Sequence, residues 1–448
     1  MKSQLNLGYL LLISLVAAFA GLLFGYDTAV VSGAIGFLSK RFNLTAELTG
    51  WAASSLLVGC MAGAALAGPL GDRFGRKRSL ILCGALFALS SLASALPDSL
   101  AAFAWARFSG GVAIGAASML SPLYIAEIAP EKIRGTLVAL YQLAIVIGIL
   151  VVFFVNLQVQ RLGDEAWNIA TGWRLMFASL IAPSVLFVLM MALVPESPRW
   201  LMNKGRRGQA RYILERIGGP VNAAREMKQI ESALRQEEGR WRELFTTGYR
   251  RALLIGSALA VLGQFSGINA IMYFAPVIFR AAGADRDSAF LQTVIVGVVN
   301  LAFTFVAIWL VDKAGRRPLL IAGTFLQFLC LASFGTMSQG TFGVAALYSI
   351  LGFTAAFAVA MGPIPWIVNS EIFPTKLRGR AMSVAIFCLW AADWVVTQTF
   401  PMLHSGIGTA YTFYVYAGCS LISMLFVLAF VPETKGRTLE EIEASWRG

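Results

Sequence analysis

Three ionisable side chains interrupt otherwise apolar stretches of this sequence: Asp27, Arg107 and Asp393. A charge at the centre of a bilayer costs at least about 2.5–3.5 kcal/mol on insertion scales, so each of them needs a partner, a water-filled cavity or a function. Asp27 and Arg107 have opposite charges and could form a static ion pair between two helices. Alternatively, Asp27 is a proton acceptor that Arg107 modulates, because burial disfavours a charged carboxylate and a nearby guanidinium favours it.

Asp393 leaves three interpretations open. The carboxyl group could accept hydrogen bonds from the hydroxyls of a substrate, it could be a second titrating group, or it could be a protonated packing residue that faces a neighbouring helix.

Amide side chains form a second set of candidates within apolar stretches: Gln142, Gln264, Asn269 and Asn300. An amide both donates and accepts hydrogen bonds, which suits a ligand that carries several hydroxyl groups. Small-molecule sites are mostly apolar walls with a few placed polar groups. Gln264 and Asn269 flank Gly267, a residue that permits an irregular backbone. The alternative for each amide is an interhelical hydrogen bond.

The elements that position these residues are predicted to be membrane-spanning helices. Of the 448 residues, 58% are hydrophobic and only 13% are charged, against about 25% charged in soluble domains. Apolar stretches long enough to span a bilayer, roughly 20 residues, begin near residues 8, 49, 79, 100, 135, 173, 251, 288, 318, 341, 379 and 410. The sequence therefore predicts an all-α membrane protein of twelve helices.

The long polar stretch 195–250 divides the predicted helices into two sets of six, and we expect it to form short helices. Twelve spans place both termini on one side. That side carries 29 of the 36 Lys and Arg residues, which predicts cytoplasmic termini. The same asymmetry accounts for the net charge of +12 without a nucleic-acid partner. We expect no cofactor, metal site or enzymatic activity, because CxxC spacings, phosphate loops and nucleophile–base sets are missing.

Three motifs recur in the same order at a similar offset. GDRFGRK at 71–77 returns as VDKAGRR at 311–317, AEIAPEKIRG at 126–135 as SEIFPTKLRG at 370–379, and PESPRW at 195–200 as PETKGR at 432–437. We interpret the repeat as two similar six-helix bundles with a substrate site between them. The predicted units are an N-terminal bundle, a cytoplasmic linker, a C-terminal bundle and a tail, at 1–194, 195–250, 251–431 and 432–448.

Together with GLLFGYDTAVVSG at 21–33, QFSGIN at 264–269 and GPIPW at 362–366, these motifs resemble the sugar porter family of the major facilitator superfamily. The resemblance covers nearly the whole chain. It implies a transporter of a monosaccharide or polyol that works by alternating access, in the bilayer and as a monomer, and short tails favour a bacterial inner membrane.

The resemblance also implies roles for particular residues. The acid at Asp27 is typical of proton-coupled members, which favours symport with Arg107 as modulator; the alternative is a passive facilitator. The implied substrate-binding residues are Phe24, Gln142, Gln264, Asn269, Asn300, Trp366, Trp390 and Asp393, and the implied extracellular gate is Tyr273 and Phe274. Gly263, Ala358 and Leu389 replace polar residues of the family pattern, so we expect a less polar pocket in which glucose is a doubtful substrate.

Paired acids and arginines recur at the predicted cytoplasmic helix ends of both halves. Carboxylates opposite arginines can form bidentate pairs, and a network that forms only when this side closes would bias the two states. The alternative is that these positive charges serve only to set the membrane topology, but this leaves the paired acids unexplained. We therefore predict a cytoplasmic gate of Asp72, Arg76, Glu127, Arg134, Glu196, Asp312, Arg317, Glu371, Arg378 and Glu433.

Overall fold

The structure is a computed structural model that describes residues 5–130, 133–234, 241–337, 344–373 and 377–435. In these ranges twelve helices, α1–α12, are long and apolar enough to cross a membrane, which confirms the predicted fold class. The first six are Leu7–Arg41, Ala46–Phe74, Arg76–Ala95, Leu100–Ile128, Arg134–Arg161 and Glu165–Leu193. The second six are Tyr249–Ala281, Arg286–Val311, Arg316–Met337, Ala345–Ile372, Arg378–Gly406 and Gly408–Phe430.

Helix α7 is interrupted where the sequence predicts an irregular backbone. It consists of Thr247–Phe265 and Ile268–Ala281, and Gly267 between them has a φ of 83° in the left-handed region. A Cβ at this position would lie 2.7 Å from the ring of Tyr416, so a glycine is required on two grounds. The break brings together the polar side chains of Gln264 and Asn269, which belong to different segments.

Helix α6 begins earlier than the sequence pattern indicates. The predicted start near residue 173 is wrong, because the span begins at Glu165. Asp164 caps the first turn by accepting from the N–H of Trp167 at 2.8 Å, and Asn168 donates to three carbonyls of the preceding turn. Because these polar residues lower the local hydropathy, a search for apolar stretches does not detect the first turns of α6. Arg174 therefore lies inside the span.

The connections between helices lie on two faces of the molecule, which we call the terminal face and the opposite face. The terminal face carries the α2–α3 connection at Gly75, the α8–α9 connection at Gly315 and the polar linker; the opposite face carries the α1–α2 and α7–α8 connections. The linker contains the helices Pro198–Asn203 and Arg207–Leu234.

The two halves meet where α2 packs on α11, α5 on α8 and α1 on α7. At the opposite-face end of α2, Gly50 approaches α11 so closely that a Cβ would lie 2.3 Å from the carbonyl oxygen of Gln398. Ser54, one turn further along α2, donates to the Gln398 side chain at 2.8 Å. The halves are therefore in close contact near the opposite face.

Candidate substrate and proton sites

Asp27 of α1 and Arg107 of α4 form a buried ion pair, and each side chain is 1% exposed. Nη1 of Arg107 donates to Oδ1 of Asp27, and Nη2 donates to the backbone carbonyl of Asp27 at 2.8 Å. The guanidinium also lies 5.1 Å from the ring centre of Phe177, within the range of a cation–π interaction. The two predicted proton-coupling residues are thus brought together.

One carboxylate oxygen of this pair remains available. Oδ2 of Asp27 has no hydrogen-bond partner within the described ranges. It faces the backbone of Gly110, where a Cβ would lie 3.0 Å from it. A buried acceptor without a donor is costly in free energy. This oxygen is therefore the part of the pair that is left without a partner among the described residues.

The interruption of α7 positions two of the predicted substrate-binding amides. Asn269, in the first turn after Gly267, donates through Nδ2 to Oε1 of Gln264 at 2.7 Å. Both side chains are half-buried. The bond fixes the direction of the two amides, and it leaves the Gln264 amino group and the Asn269 carbonyl oxygen for other partners.

Asp393 of α11 is 1% exposed and is held by neutral groups. Thr397 donates to its Oδ1 at 3.1 Å, the Tyr273 hydroxyl lies 3.5 Å from its Oδ2, and Asn269 also interacts with it. None of the described Lys, Arg or His residues lies within ion-pair distance of this carboxyl group. The second buried acid therefore differs from Asp27 in the kind of partner it has.

Aromatic side chains close the site toward the opposite face. The rings of Phe24 and Trp390 lie 5.5 Å apart and join the two halves. The ring of Phe274 lies 4.9 Å from that of Phe400, and Tyr273 is 5% exposed beneath them. The predicted gate residues are thus buried on this side, as a closed gate requires.

Three predicted binding residues are joined to this cluster by no hydrogen bond or ring contact among the described residues. Gln142 of α5 is half-buried, Asn300 of α8 is 8% exposed and Trp366 of α10 is 38% exposed. Neither amide group makes a hydrogen bond to another described residue. They remain candidates that a substrate, or a different conformation of the protein, would have to bring together with Gln264 and Asn269.

A cavity of about 530 Å³ lies outside the aromatic layer on the opposite face. Its walls come from both halves and include Phe274, Phe400, Lys40, Arg280 and His404. Sequence reasoning missed it because its residues belong to five separate segments of the chain.

The predicted cytoplasmic gate residues of the first half cluster around Arg76 on the terminal face. Arg76 contacts the carboxylates of Glu127 at 3.0 Å and Asp72 at 3.2 Å. Glu196 accepts from the N–H of Lys77 at 3.0 Å. Arg134 is exposed and donates to the carbonyl of Ala129 at 3.4 Å.

The second half repeats this arrangement. Arg316 contacts Glu371 at 3.1 Å, and Glu433 accepts from the N–H groups of Arg316 and Arg317, each at 3.1 Å. Partial burial opposes ionisation of Glu433, but the N–H donors of Lys435, Arg316 and Arg317 hold the pKa of Glu433 below its usual range. The side chain of Asp312 lies outside the described residues, and Arg378 begins α11.

Comparison with known proteins identifies the class to which this fold and site belong. Residues 13–446 match the family model described as sugar (and other) transporter. The chain is 45% identical over 444 residues to the arabinose-proton symporter of Bacillus subtilis, covering 98% of this chain and 96% of that one. It is 42% identical over 483 residues to the D-xylose-proton symporter of Escherichia coli K12, covering 100% and 97%. The protein therefore belongs to the sugar transporter family of the major facilitator superfamily.

Solved structures agree with this assignment. The inward-open conformation of the xylose transporter XylE from E. coli has a TM-score of 0.87 and 41% identity, covering 97% of this chain and 99% of that one. The XylE structure bound to 6-bromo-6-deoxy-D-glucose has a TM-score of 0.81 and 41% identity, covering 98% and 100%. The chain described here thus superposes better on the inward-open form.

Proposed function

We propose that this protein couples the entry of a monosaccharide or polyol to the entry of a proton, by alternating access to a site between its halves. The observation that carries the proposal is the buried pair of Asp27 and Arg107, in which one carboxylate oxygen has no donor among the described residues. A passive facilitator has no need for a buried acid of this kind. The similarity to two named sugar–proton symporters supports the same conclusion.

The proton step follows from the charges of the pair. When the site opens to the opposite face, water delivers a proton to Asp27 and the carboxylate becomes a neutral acid. Arg107 then loses its counter-charge, which favours rearrangement of α4 against α1. After the site opens to the terminal face, the proton leaves to water and the ion pair re-forms. One proton gains about 2.3 kcal/mol per 100 mV, enough for up to about a fifty-fold solute gradient.

The substrate of first choice is an aldopentose. Gly263, Ala358 and Leu389 offer no polar side chain where the family pattern has polar residues, so this site pairs fewer hydroxyls. A pentose lacks the hydroxymethyl group of a hexose and needs fewer donors and acceptors. The relatives named for arabinose and xylose are consistent with this choice, whereas the myo-inositol transporter of B. subtilis is 36% identical. The amides Gln264 and Asn269 and the Phe24–Trp390 wall would hold the ring.

The proposed orientation places the terminal face in the cytoplasm of a bacterial cell. The excess of Lys and Arg on that face supports it. The contacts between α2 and α11, together with the buried gate, then describe a state that is closed to the outside and open to the cytoplasm. The higher TM-score with the inward-open XylE structure supports the same state. We propose a monomer in the bilayer as the functional unit.

The decisive experiment is uptake by purified protein in proteoliposomes, with a panel of radiolabelled arabinose, xylose, glucose and myo-inositol. With an inward proton gradient, we expect at least one pentose to accumulate above its external concentration and to be recovered chemically unchanged. A protonophore should reduce the uptake to equilibration. Equal accumulation with and without the gradient would point to the passive facilitator, and a modified product would point to an enzymatic activity.

A further inference from the structure

The opposite face carries an ion pair that joins the two halves. Arg161 ends α5 in the first half, and Asp287 lies in the first turn of α8 in the second half. Nε of Arg161 donates to Oδ1 of Asp287 at 2.6 Å, and Nη2 donates to Oδ2 at 2.7 Å. Gln160 adds a third donor, with Nε2 2.9 Å from Oδ1. A bidentate pair of this geometry is among the stronger ion pairs.

The hydrogen bond that Gln160 donates to Asp287 starts from a buried side chain, whereas those of Arg161 start from an exposed one. Gln160 is 1% exposed, whereas the side chains of Arg161 and Asp287 are 44% and 48% exposed. Exposed pairs contribute little because water and salt screen them. A buried amide that donates to the same carboxylate resists that screening, so Asp287 is anchored from the protein side as well as from the solvent side.

Two further contacts cross between the halves beside this pair. Arg280, at the end of α7, lies 3.8 Å from Glu165 at the start of α6. Arg286 donates to the carbonyl of Gly163 at 3.3 Å. Glu165 is also bonded to Lys40 of its own half. We call Gln160, Arg161, Glu165, Arg280 and Asp287 the inter-half ion cluster.

The terminal face has the same types of residue but a different arrangement. The pairs Arg76–Glu127 and Arg316–Glu371 each lie within one half. In the described part of the chain, every ion pair that joins the halves is on the opposite face. Among the described residues, the ion pairs between the halves therefore lie on the opposite face, where they favour the conformation observed.

We propose that the inter-half ion cluster sets the conformational equilibrium of the transporter, with Asp287 as its central positioning residue, and that its opening limits the return to the state open on the opposite face. The proposal rests on alternating access as proposed above. The cluster lies outside the aromatic gate and touches none of the proposed substrate or proton residues. It should therefore alter turnover and state populations without altering the affinity for sugar at the terminal face.

The test measures the distance between the halves on the opposite face by electron paramagnetic resonance in lipid nanodiscs. Spin labels are attached at Leu96→Cys and Ile407→Cys, because these positions are 65% and 44% exposed and belong to different halves. The five native cysteines are replaced by alanine. The readout needs neither sugar nor a proton gradient, so it stays informative if the uptake assay fails.

Asp287→Asn should raise the ratio of open to closed opposite-face conformations by about three- to tenfold, as expected for loss of one charge-assisted contact. Arg161→Asp should do the same, and Arg161→Asp combined with Asp287→Arg should restore the native distribution. The matched control is Asp285→Asn, because Asp285 accepts from Ser288 and from the backbone N–H of Asp287 at the start of α8, and forms no ion pair with the other half among the described residues. High salt should raise the ratio in the native protein and leave Asp287→Asn unchanged.

The proposal is overturned if Asp287→Asn leaves the distance distribution unchanged in protein that elutes as a single species. It is also overturned if the charge exchange fails to restore the distribution, or if Asp285→Asn has the same effect as Asp287→Asn. Coupled uptake with an unchanged distribution would contradict this inference alone. A shifted distribution without any proton-dependent uptake would contradict the proposed function alone.

Discussion

In each half of the molecule, an aspartate within a described membrane-spanning helix is buried, and the two aspartates differ in their partners. Asp27 and Asp393 are both 1% exposed. Asp27 is paired with Arg107 across two helices of the first half. Asp393 is bonded to Thr397 of its own helix and lies near Tyr273 of α7. Burial of a carboxyl group in a membrane helix is therefore not sufficient to assign a function, and the charge of the partner is needed as well.

The partners determine what a proton can change. At Asp27, a proton removes the counter-charge of Arg107 and so alters an interaction between α1 and α4. At Asp393, a proton would convert a carboxylate into a neutral carboxylic acid. No cation among the described residues would lose its counter-charge. We infer that Asp27 couples proton movement to conformation, whereas Asp393 orients Tyr273 and Asn269 beside the sugar. Substitutions at four positions test this comparison.

Asp27→Asn should have the largest effect, because it removes the acid that is paired with Arg107. We expect loss of all uphill accumulation, from a maximum of about fifty-fold to none, while exchange of labelled for unlabelled sugar continues. The measurement is uptake in energised vesicles, with sugar exchange in the same preparation as the control for folding. Retained accumulation would remove Asp27 from the coupling mechanism.

Arg107→Gln should destabilise the protein, because it leaves Asp27 buried without a cation. Breaking a buried pair from one side costs about 3–5 kcal/mol, which should appear as a clear drop in the unfolding temperature in detergent. The double variant Asp27→Asn with Arg107→Gln should recover most of that loss, since no charge remains. If both variants unfold at the native temperature, the pair contributes little to stability.

Asp393→Asn should have a smaller effect, since an amide still accepts from Thr397 and Tyr273. We expect the ratio of protons to sugar to stay the same and KM to change by less than about threefold, corresponding to under 1 kcal/mol. Asp393→Leu removes every acceptor and should raise KM more strongly. A changed proton ratio in Asp393→Asn would instead make Asp393 a second proton carrier.

Thr397→Val should have the smallest effect, because it deletes one neutral donor and keeps the shape of the side chain. We expect a loss of about 1 kcal/mol in stability and unchanged coupling. Thermal unfolding and the accumulation ratio, measured side by side, check both parts. Loss of coupling here would mean that the environment of Asp393, as well as that of Asp27, controls the proton.

The interruption of α7 and the start of α6 illustrate what local sequence can and cannot predict. Gly267 between Gln264 and Asn269 predicts an irregular backbone, and the structure has a break there. The apolar pattern misplaces the start of α6. Asp164 caps the first turn and Asn168 donates to the carbonyl of Asp164, and both polar side chains lower the local hydropathy. Composition identifies helices in lipid. It predicts too short a helix, however, where polar side chains at the helix end bond the backbone.

The sequence by itself determined the twelve helices, the two related halves and the choice of Asp27 and Arg107 as a candidate pair. A membrane leaves few options, because apolar segments of about 20 residues in lipid must satisfy their backbone internally as helices. An internal repeat then divides the chain without reference to any structure.

Only the tertiary structure decided which residues meet across the halves. Arg161 and Asp287 are 126 positions apart, and Asp393 is 120 positions from Tyr273. Their contacts depend on how whole helices pack and on which face of the molecule is closed. Such packing is a property of the folded conformation, and a repeat or a hydropathy pattern carries no information about it.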